Sequence, residues 1–191
     1  SHPLVGKRLN LAIPEVVFEY ALGPGSLPFL SDHTVHDVPI FPSTAYLEMV
    51  LSAADAVLGA ETKLVEDFLI HQALSFPERE TLRLQLILTR QGPGEASFKI
   101  SSFDAEAEHD WRLHASGKIR KAAASSPATN RIDALELTKH FDEQVEGERY
   151  YDLLRQRGFN YSAGFRGIDR LWLRDGESVG SVLVSSHQQS A

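Results

Sequence analysis

The segment 43–58 constrains the fold most strongly, because its pattern predicts a helix that is apolar on most sides. Pro42 or Ser43 can begin the helix, and Gly59 can end it in a left-handed cap. Only two of its residues are charged. Its apolar residues form two stripes at helical spacing, Tyr46, Met49, Val50, Ala53 and Val57 in one and Leu47, Leu51 and Leu58 in the other. Such a helix is expected to be wrapped by other structure.

The sequence after this helix predicts an antiparallel sheet that can cover it. Segment 81–90 places leucine at every second position between polar residues, which is typical of a strand with one buried face. Gly-Pro-Gly at 92–94 predicts a turn, and 95–103 and 111–120 predict the next two strands. Segment 15–22 predicts a strand before the helix. A long antiparallel sheet around one buried helix is the hot-dog architecture, so we predict an α+β hot-dog fold.

The second part of the chain carries its own α+β pattern. Segments 134–143 and 148–158 predict helices, and 170–185 predicts a hairpin that turns at Asp175 and Gly176. This part stops before a second buried helix is recognisable. It therefore predicts the opening of a second unit of the same kind.

These patterns give a domain organisation. We predict an N-terminal hot dog over residues 1–122, a linker of small and polar residues over 123–133, and the beginning of a C-terminal hot dog over 134–191. The predicted fold is thus a double hot dog with the second unit incomplete.

Composition excludes several classes of function. The formal net charge of -7 leaves no basic stripe for a nucleic-acid duplex. The absence of cysteine excludes disulfides, thiol catalysis and cysteine metal clusters. No signal peptide and no apolar run of bilayer length is recognisable, so we expect no membrane partner and a cytoplasmic location.

Segment 30–42 concentrates polar residues that suit a metal site, a general base or a polar turn. It contains Asp32, His33, His36 and Asp37. On a strand, residues 33 and 36 point to opposite faces, and the other histidines show no metal-ligand spacing. A metal needs three or four convergent ligands, so no metal site is predicted.

The general-base hypothesis needs one histidine beside an apolar tunnel. Imidazole titrates near neutrality, so His33 can take and return a proton. The first N–H groups of the helix, near Ser43 and Thr44, can hold a carbonyl oxygen while a proton leaves the adjacent carbon. On the residues alone, a histidine before a helix is more often a polar loop residue, so both interpretations stay open.

Three motifs resemble the dehydratase domain of modular polyketide synthases, which is a double hot dog. The opening of that domain resembles residues 2–6, "HPLVG". Its motif His-x3-Gly-x4-Pro resembles residues 29–49, with His33 as the histidine and Pro42 as the proline. Its second hot dog, which usually begins around Tyr-Gly-Pro-x-Phe, resembles residues 150–174.

The resemblance implies an activity, a site and partners. The substrate would be a 3-hydroxyacyl chain on the phosphopantetheine arm of an acyl carrier protein, and water would be removed to give an α,β-unsaturated thioester. His33 would be the catalytic base. Residues expected to contact substrate are Val35, Pro42, Ser43, Tyr161 and Phe165. No metal or other cofactor is expected, and the expected partners are the carrier protein, neighbouring synthase domains and a second copy in a homodimer.

The chain departs from the family pattern at three places. Asp37 stands where the motif usually has glycine, and Ser162-Ala163 replaces Gly-Pro after Tyr161. Nothing after Val184 matches the family's His-Pro-x3-Asp motif, whose aspartate acts as the acid. We therefore expect the sequence to be a piece of a longer domain. The alternatives are a double-bond isomerase or cyclase on the same scaffold, or a catalytically silent domain that binds carrier protein.

The remaining histidines are predicted to have no catalytic role. His36 is expected at the surface or in packing, and His71 in strand packing. His109 and His114 flank a strand and are expected to face solvent.

Overall fold

A computed structural model describes residues 2–23, 25–76, 81–103, 110–122 and 134–183. Contacts divide the chain into two compact units. The first is Ser1–Pro28 with Ile40–Ala124, and the second is Phe29–Pro39 with Ser125–Ala191. The predicted linker, residues 123–133, lies outside the described residues, as does the end of the chain from residue 184.

The elements follow in chain order. They begin with β1 (Lys7–Arg8), β2 (Val16–Leu22), β3 (His33–Val35), β4 (Val38–Pro39), α1 (Ser43–Leu58), β5 (Lys63–Ile70), β6 (Leu82–Gly92), β7 (Glu95–Phe103) and β8 (Trp111–Lys121). They continue with α2 (Ala134–Thr138), β9 (Glu143–Glu146), α3 (Gly147–Gln156), β10 (Phe159–Tyr161), β11 (Ile168–Arg174) and β12 (Glu177–Val182). Short 3-10 helices lie at Pro28–Asp32 and Ala163–Phe165.

The first unit is an antiparallel sheet with α1 packed against it. The strand order is β1-β2-β6-β7-β8-β5, and each neighbouring pair is antiparallel. Helix α1 contacts β2, β5, β6, β7 and β8. The leucines that alternate along β6 are each 6% exposed or less, namely Leu82, Leu84, Leu86 and Leu88. The predicted combination of one helix and a half-buried antiparallel sheet is therefore confirmed.

Helix α1 has the predicted limits but is buried on one side only. Pro42 precedes it in extended backbone, and Gly59 ends it at φ 83 with its N–H bonded to the Asp55 carbonyl. The first apolar stripe is 5% exposed or less at every position. Burying each large side chain of this stripe contributes about 1.5–3 kcal/mol. In the second stripe Leu58 is buried, whereas Leu51 is 37% exposed, so the expectation of a fully wrapped helix was wrong there.

Among its described residues, the second unit contains two small sheets and two α-helices. Its sheets have the orders β10-β3-β4 and β12-β11-β9. Helix α3 contacts β9, β10 and β11. The buried Tyr151 joins α3 to the chain around β11, because its hydroxyl donates to the Phe165 carbonyl and accepts from the Ile168 N–H. The predicted β11–β12 hairpin is confirmed, with Gly176 at φ 74 in its turn.

Two segments differ from the prediction. The helix predicted over 134–143 ends at Thr138, and Glu143 begins β9. Strand β9 pairs with β11, with Val145 opposite Leu171, so sheet pairing overrides the local helical pattern. Residues 29–39 were grouped with the N-terminal hot dog on sequence, but their contacts place them in the second unit because β3 pairs with β10.

None of the helices in the described residues is long and apolar enough to cross a bilayer.

Candidate active site

The candidate base lies just before a tight turn. Strands β3 and β4 are joined by His36 and Asp37 alone, with Val35 opposite Val38. Both turn residues have positive φ, 48 at His36 and 64 at Asp37. A two-residue hairpin of this type requires left-handed conformations at both positions. The chain reverses after Val35, so His33 and His36 do not lie on one continuous strand.

The residue type of Asp37 suits the left-handed backbone of the turn. Aspartate tolerates this conformation better than most residues, since its short side chain bonds locally. Asp37 adopts this conformation, with φ 64, at the position where the resembling motif has glycine. The His36 ring is exposed, as expected of a surface residue.

His33 lies in an aromatic cluster. In the register of β3 and β10, Tyr161 is directly opposite His33, so the two side chains share one face of the sheet. Their ring centroids are 5.0 Å apart and their planes differ by 26°, which is a stacked arrangement. Phe165, from the 3-10 helix that follows β10, lies 5.1 Å from the His33 ring. His33 is half-buried, and its imidazole lies beside the rings of Tyr161 and Phe165.

Hydrogen bonds fix this strand pair at both ends. The Ser162 N–H donates to the Asp32 carbonyl at 2.9 Å, and the His36 N–H donates to the Gly158 carbonyl at 2.7 Å. Between these bonds, strand pairing places Tyr161 against His33. The register of this pairing therefore places the imidazole against the phenol.

Burial raises the pKa of the Tyr161 hydroxyl, and the neighbouring Tyr150 and Tyr151 raise it further. Tyr161 is therefore a neutral phenol at neutral pH. A neutral aromatic wall suits an acyl chain or the flat face of a thioester, and the adjacent imidazole is a group that can exchange a proton.

The other predicted substrate contacts divide between the units. Val35 is half-buried and lies on the same face of β3 as His33. Pro42 is buried and Ser43 is exposed, and both belong to the first unit at the beginning of α1. The roles of Val35, Pro42 and Ser43 as substrate contacts stay predictions.

Sequence analysis missed two features of the cluster. Phe29 lies 6.4 Å from the Phe165 ring and extends the aromatic wall. The Asn160 side chain donates from Nδ2 to Asp37 Oδ1 at 3.1 Å. The sequence does carry a signal for the turn, because His36-Asp37 is a two-residue polar step between valines. It carries none for the partner from β10.

The expectation that His114 faces solvent was wrong. His114 is 4% exposed, and its Nδ1 lies 3.3 Å from the Gln72 carbonyl oxygen. Because that oxygen only accepts, Nδ1 carries the proton, and Nε2 accepts from the Ser102 hydroxyl at 2.7 Å. This buried neutral imidazole is part of the polar structure of the first unit.

Within the described ranges, no group of three or more His, Asp or Glu side chains is arranged to hold a metal ion. His71 is exposed and bonds to Ser116, and His109 lies outside the described residues.

Comparison with known proteins identifies the family. A family model described as polyketide synthase dehydratase domain matches residues 2–103, and one described as polyketide synthase dehydratase N-terminal domain matches residues 132–191. Polyketide synthase GfsE of Streptomyces halstedii is 28% identical over 199 residues and is matched by 100% of this chain. Mycoketide-CoA synthase of Mycobacterium tuberculosis is 30% identical over 188 residues, covering 96% of the chain.

The chain is a small part of these relatives. It spans 5% of GfsE and 4% of mycoketide-CoA synthase. These relatives are polyketide synthases far longer than the chain, which matches a short segment of each.

Solved dehydratase domains share the fold. The dehydratase domain from the CurF module of curacin polyketide synthase has a TM-score of 0.88 and 30% identity, over 100% of this chain and 68% of that one. The dehydratase domain of a mycocerosic acid synthase-like polyketide synthase has a TM-score of 0.84 and 26% identity, over 100% of this chain and 66% of that one. The α+β hot-dog prediction is confirmed, and the chain belongs to the polyketide synthase dehydratase-domain family.

Proposed function

We propose that this protein removes water from a 3-hydroxyacyl thioester carried on the phosphopantetheine arm of an acyl carrier protein. His33 is the base in this proposal. The observation that carries it is the placement of His33 on β3, paired with β10, with Tyr161 stacked on its ring and Phe165 beside it. A half-buried imidazole against an apolar wall is suited to proton abstraction from a bound acyl chain.

The proposed step begins at the carbon next to the thioester carbonyl. His33 takes a proton from that carbon, and the electrons of the broken C–H bond move onto the thioester as an enolate, from which the new double bond forms. The bond from carbon 3 to its hydroxyl breaks, and the departing oxygen takes a proton from an acid to leave as water. The product is an α,β-unsaturated thioester, and the imidazolium returns its proton to solvent.

Two solved structures of one relative support the need for one histidine and one acid. Inactive mutants of the CurK dehydratase carry a histidine-to-phenylalanine substitution in one case and an aspartate-to-asparagine substitution in the other. His33 is the histidine of the resembling motif in this chain. The printed sequence contains no His-Pro-x3-Asp motif, so no residue of this chain is assigned as the acid.

Tyr161 and Phe165 are proposed to line the path of the acyl chain. Both contact the His33 ring, and the raised pKa of Tyr161 keeps its hydroxyl uncharged beside an apolar substrate. The proposal needs no metal or nucleotide, since proton transfer and loss of water require neither. The carrier protein is the proposed partner, and a homodimer stays a prediction.

The test is dehydration of a 3-hydroxyacyl thioester on carrier protein, followed as loss of water by mass spectrometry. We expect turnover by the unmodified protein and at least about a 100-fold loss in His33→Ala. His71→Ala is the matched control, because His71 is an exposed histidine of the other unit. Turnover that survives His33→Ala contradicts the proposed base, and no turnover by the unmodified protein contradicts the proposed activity.

A further inference from the structure

We propose that Asp37 and Asn160 form a side-chain clamp that positions His33, and this inference rests on the proposed role of His33 as the base. The clamp is the hydrogen bond from Asn160 Nδ2 to Asp37 Oδ1, 3.1 Å long. It joins the turn after β3 to the middle of β10. Both residues are positioning residues, because they act through His33.

The clamp acts on the register of two very short strands. Strands β3 and β10 are three residues each, with Tyr161 opposite His33 and Asn160 opposite Thr34. A slip by one residue moves every side chain of a strand to the other face. Such a slip would remove Tyr161 from the His33 ring. Three-residue strands have few backbone bonds to resist it, so a side-chain bond across the pair makes a large relative contribution.

The identity of residue 37 supports this role. Asp37 has φ 64, a conformation that glycine adopts without strain. The turn alone therefore favours glycine, the residue usual at this position of the resembling motif. Aspartate adds a carboxylate oxygen that glycine cannot supply, and that oxygen accepts the bond from Asn160. The residue that departs from the motif is thus the residue that accepts the bond across the strands.

Contacts beside the clamp hold the turn after β3 close to the start of β10. The His36 N–H donates to the Gly158 carbonyl, two residues before Asn160. A Cβ on Gly158 would lie 2.4 Å from the His36 ring, so the turn and the start of β10 approach closely. Asp37 and Asn160 lie beside this close approach. A change in the β3–β10 register would therefore change the distance between their side chains.

Three substitutions separate the bond from the turn. Asp37→Asn keeps an acceptor oxygen and tolerance of positive φ, so it is expected to behave as the unmodified protein. Asp37→Gly keeps the turn and removes the acceptor, and Asn160→Ala removes the donor. Asp175→Gly is the control, because it makes the same change at the β11–β12 turn of the same unit. Circular dichroism confirms that each variant folds.

The first readout is the NMR spectrum of the histidine rings, which needs no activity. Tyr161 and Phe165 shift the ring protons of His33 by their ring currents. We expect Asp37→Gly and Asn160→Ala to move the His33 signals toward those of an unstacked histidine, whereas Asp37→Asn and Asp175→Gly leave them in place. The His114 signals, from the other unit, are the reference and stay constant.

The second readout is steady-state dehydration. Misplacement of a base affects the chemical step, so kcat is expected to fall about 10-fold in Asp37→Gly and in Asn160→Ala with KM unchanged. The double variant is expected to lose no more than either single variant, since both remove one bond.

Unchanged His33 signals in both Asp37→Gly and Asn160→Ala would overturn the clamp, as would an Asp37→Asn variant impaired as much as Asp37→Gly. If the signals move as expected while the unmodified protein fails to dehydrate the substrate, the clamp stands and the proposed function fails.

Discussion

Acidification is expected to destabilise the first unit through His114. Burial lowers the pKa of this histidine, and Arg112 lowers it further, while hydrogen bonds to the backbone at Gln72 and Ala73 act in the opposite direction. Below about pH 6.5, which is the pKa of histidine in an unfolded chain, His114 is therefore protonated to a smaller extent in the folded state than in the unfolded state. The stabilising effect is fully present above that pH and is lost as pH falls toward the folded pKa. The slope is at most about 1.4 kcal/mol per pH unit for one proton.

The variant His114→Gln isolates this effect. Glutamine can keep an acceptor for the Ser102 hydroxyl, but it loses the ring N–H that donates to the Gln72 carbonyl and it does not titrate. At about pH 8 the unmodified protein is expected to be more stable by about 1 kcal/mol, the net contribution of one hydrogen bond. Below about pH 6.5 that advantage is expected to shrink, and with further acidification to reverse.

Urea unfolding followed by tryptophan fluorescence measures the difference. Trp111 lies on β8 with His114, so the Trp172→Phe background leaves a reporter in the first unit alone. Subtracting the two stability curves cancels the other histidines and the carboxylates. A difference that stays constant from about pH 8 to about pH 5.5, or that grows as pH falls, would refute the assignment of His114 as a buried neutral histidine.

Three further predictions test the packing. Tyr46→Phe is expected to leave the free energy of unfolding unchanged or raise it by up to about 1 kcal/mol, because the buried Tyr46 hydroxyl has no partner among the described residues; a clear loss in thermal unfolding would contradict this. Gly158→Ala is expected to lower the free energy of unfolding by about 1–3 kcal/mol, because Gly158 has φ 86 and the added Cβ meets the His36 ring. Gly176→Ala is expected to cost less, because its added Cβ meets nothing within 4 Å. Equal losses in urea unfolding would exclude the clash. Met49→Ala is expected to lower the free energy of unfolding by about 2–5 kcal/mol and Leu51→Ala by under about 1 kcal/mol, because Met49 is 2% exposed and Leu51 is 37% exposed. Similar losses in the two variants would contradict the one-sided burial of α1.

The main elements of the first unit could be predicted because their signals are local. Helix α1 and strands β6, β7 and β8 are long enough for their periods to be recognised, and Gly59 and Gly94 mark turns at positive φ. Strand β9 could not be predicted, because Val145 is held by Leu171 of β11, which is distant in sequence. The local residues there favour a helix.

The candidate site could be predicted only in part. The resemblance to the family motif made His33, Tyr161 and Phe165 candidates. It did not predict that these side chains stack, because three-residue strands show no recognisable period and their pairing links residues 33 and 161. In the sequence, Asp37 stands out as one of four clustered polar residues and as a departure from the motif. Its bond to Asn160 depends on the same long-range pairing.

Proton exchange at the carbon next to the thioester carbonyl tests the central claim most directly. The protein is incubated in D2O with a 3-hydroxyacyl pantetheine thioester, and deuterium at that carbon is measured by mass spectrometry. This readout reports abstraction by the base separately from loss of water. The account predicts exchange above the rate in buffer with the unmodified protein and none above that rate with His33→Ala. Exchange by His33→Ala at the rate of the unmodified protein, or no exchange by either, would contradict the assignment of His33 as the base.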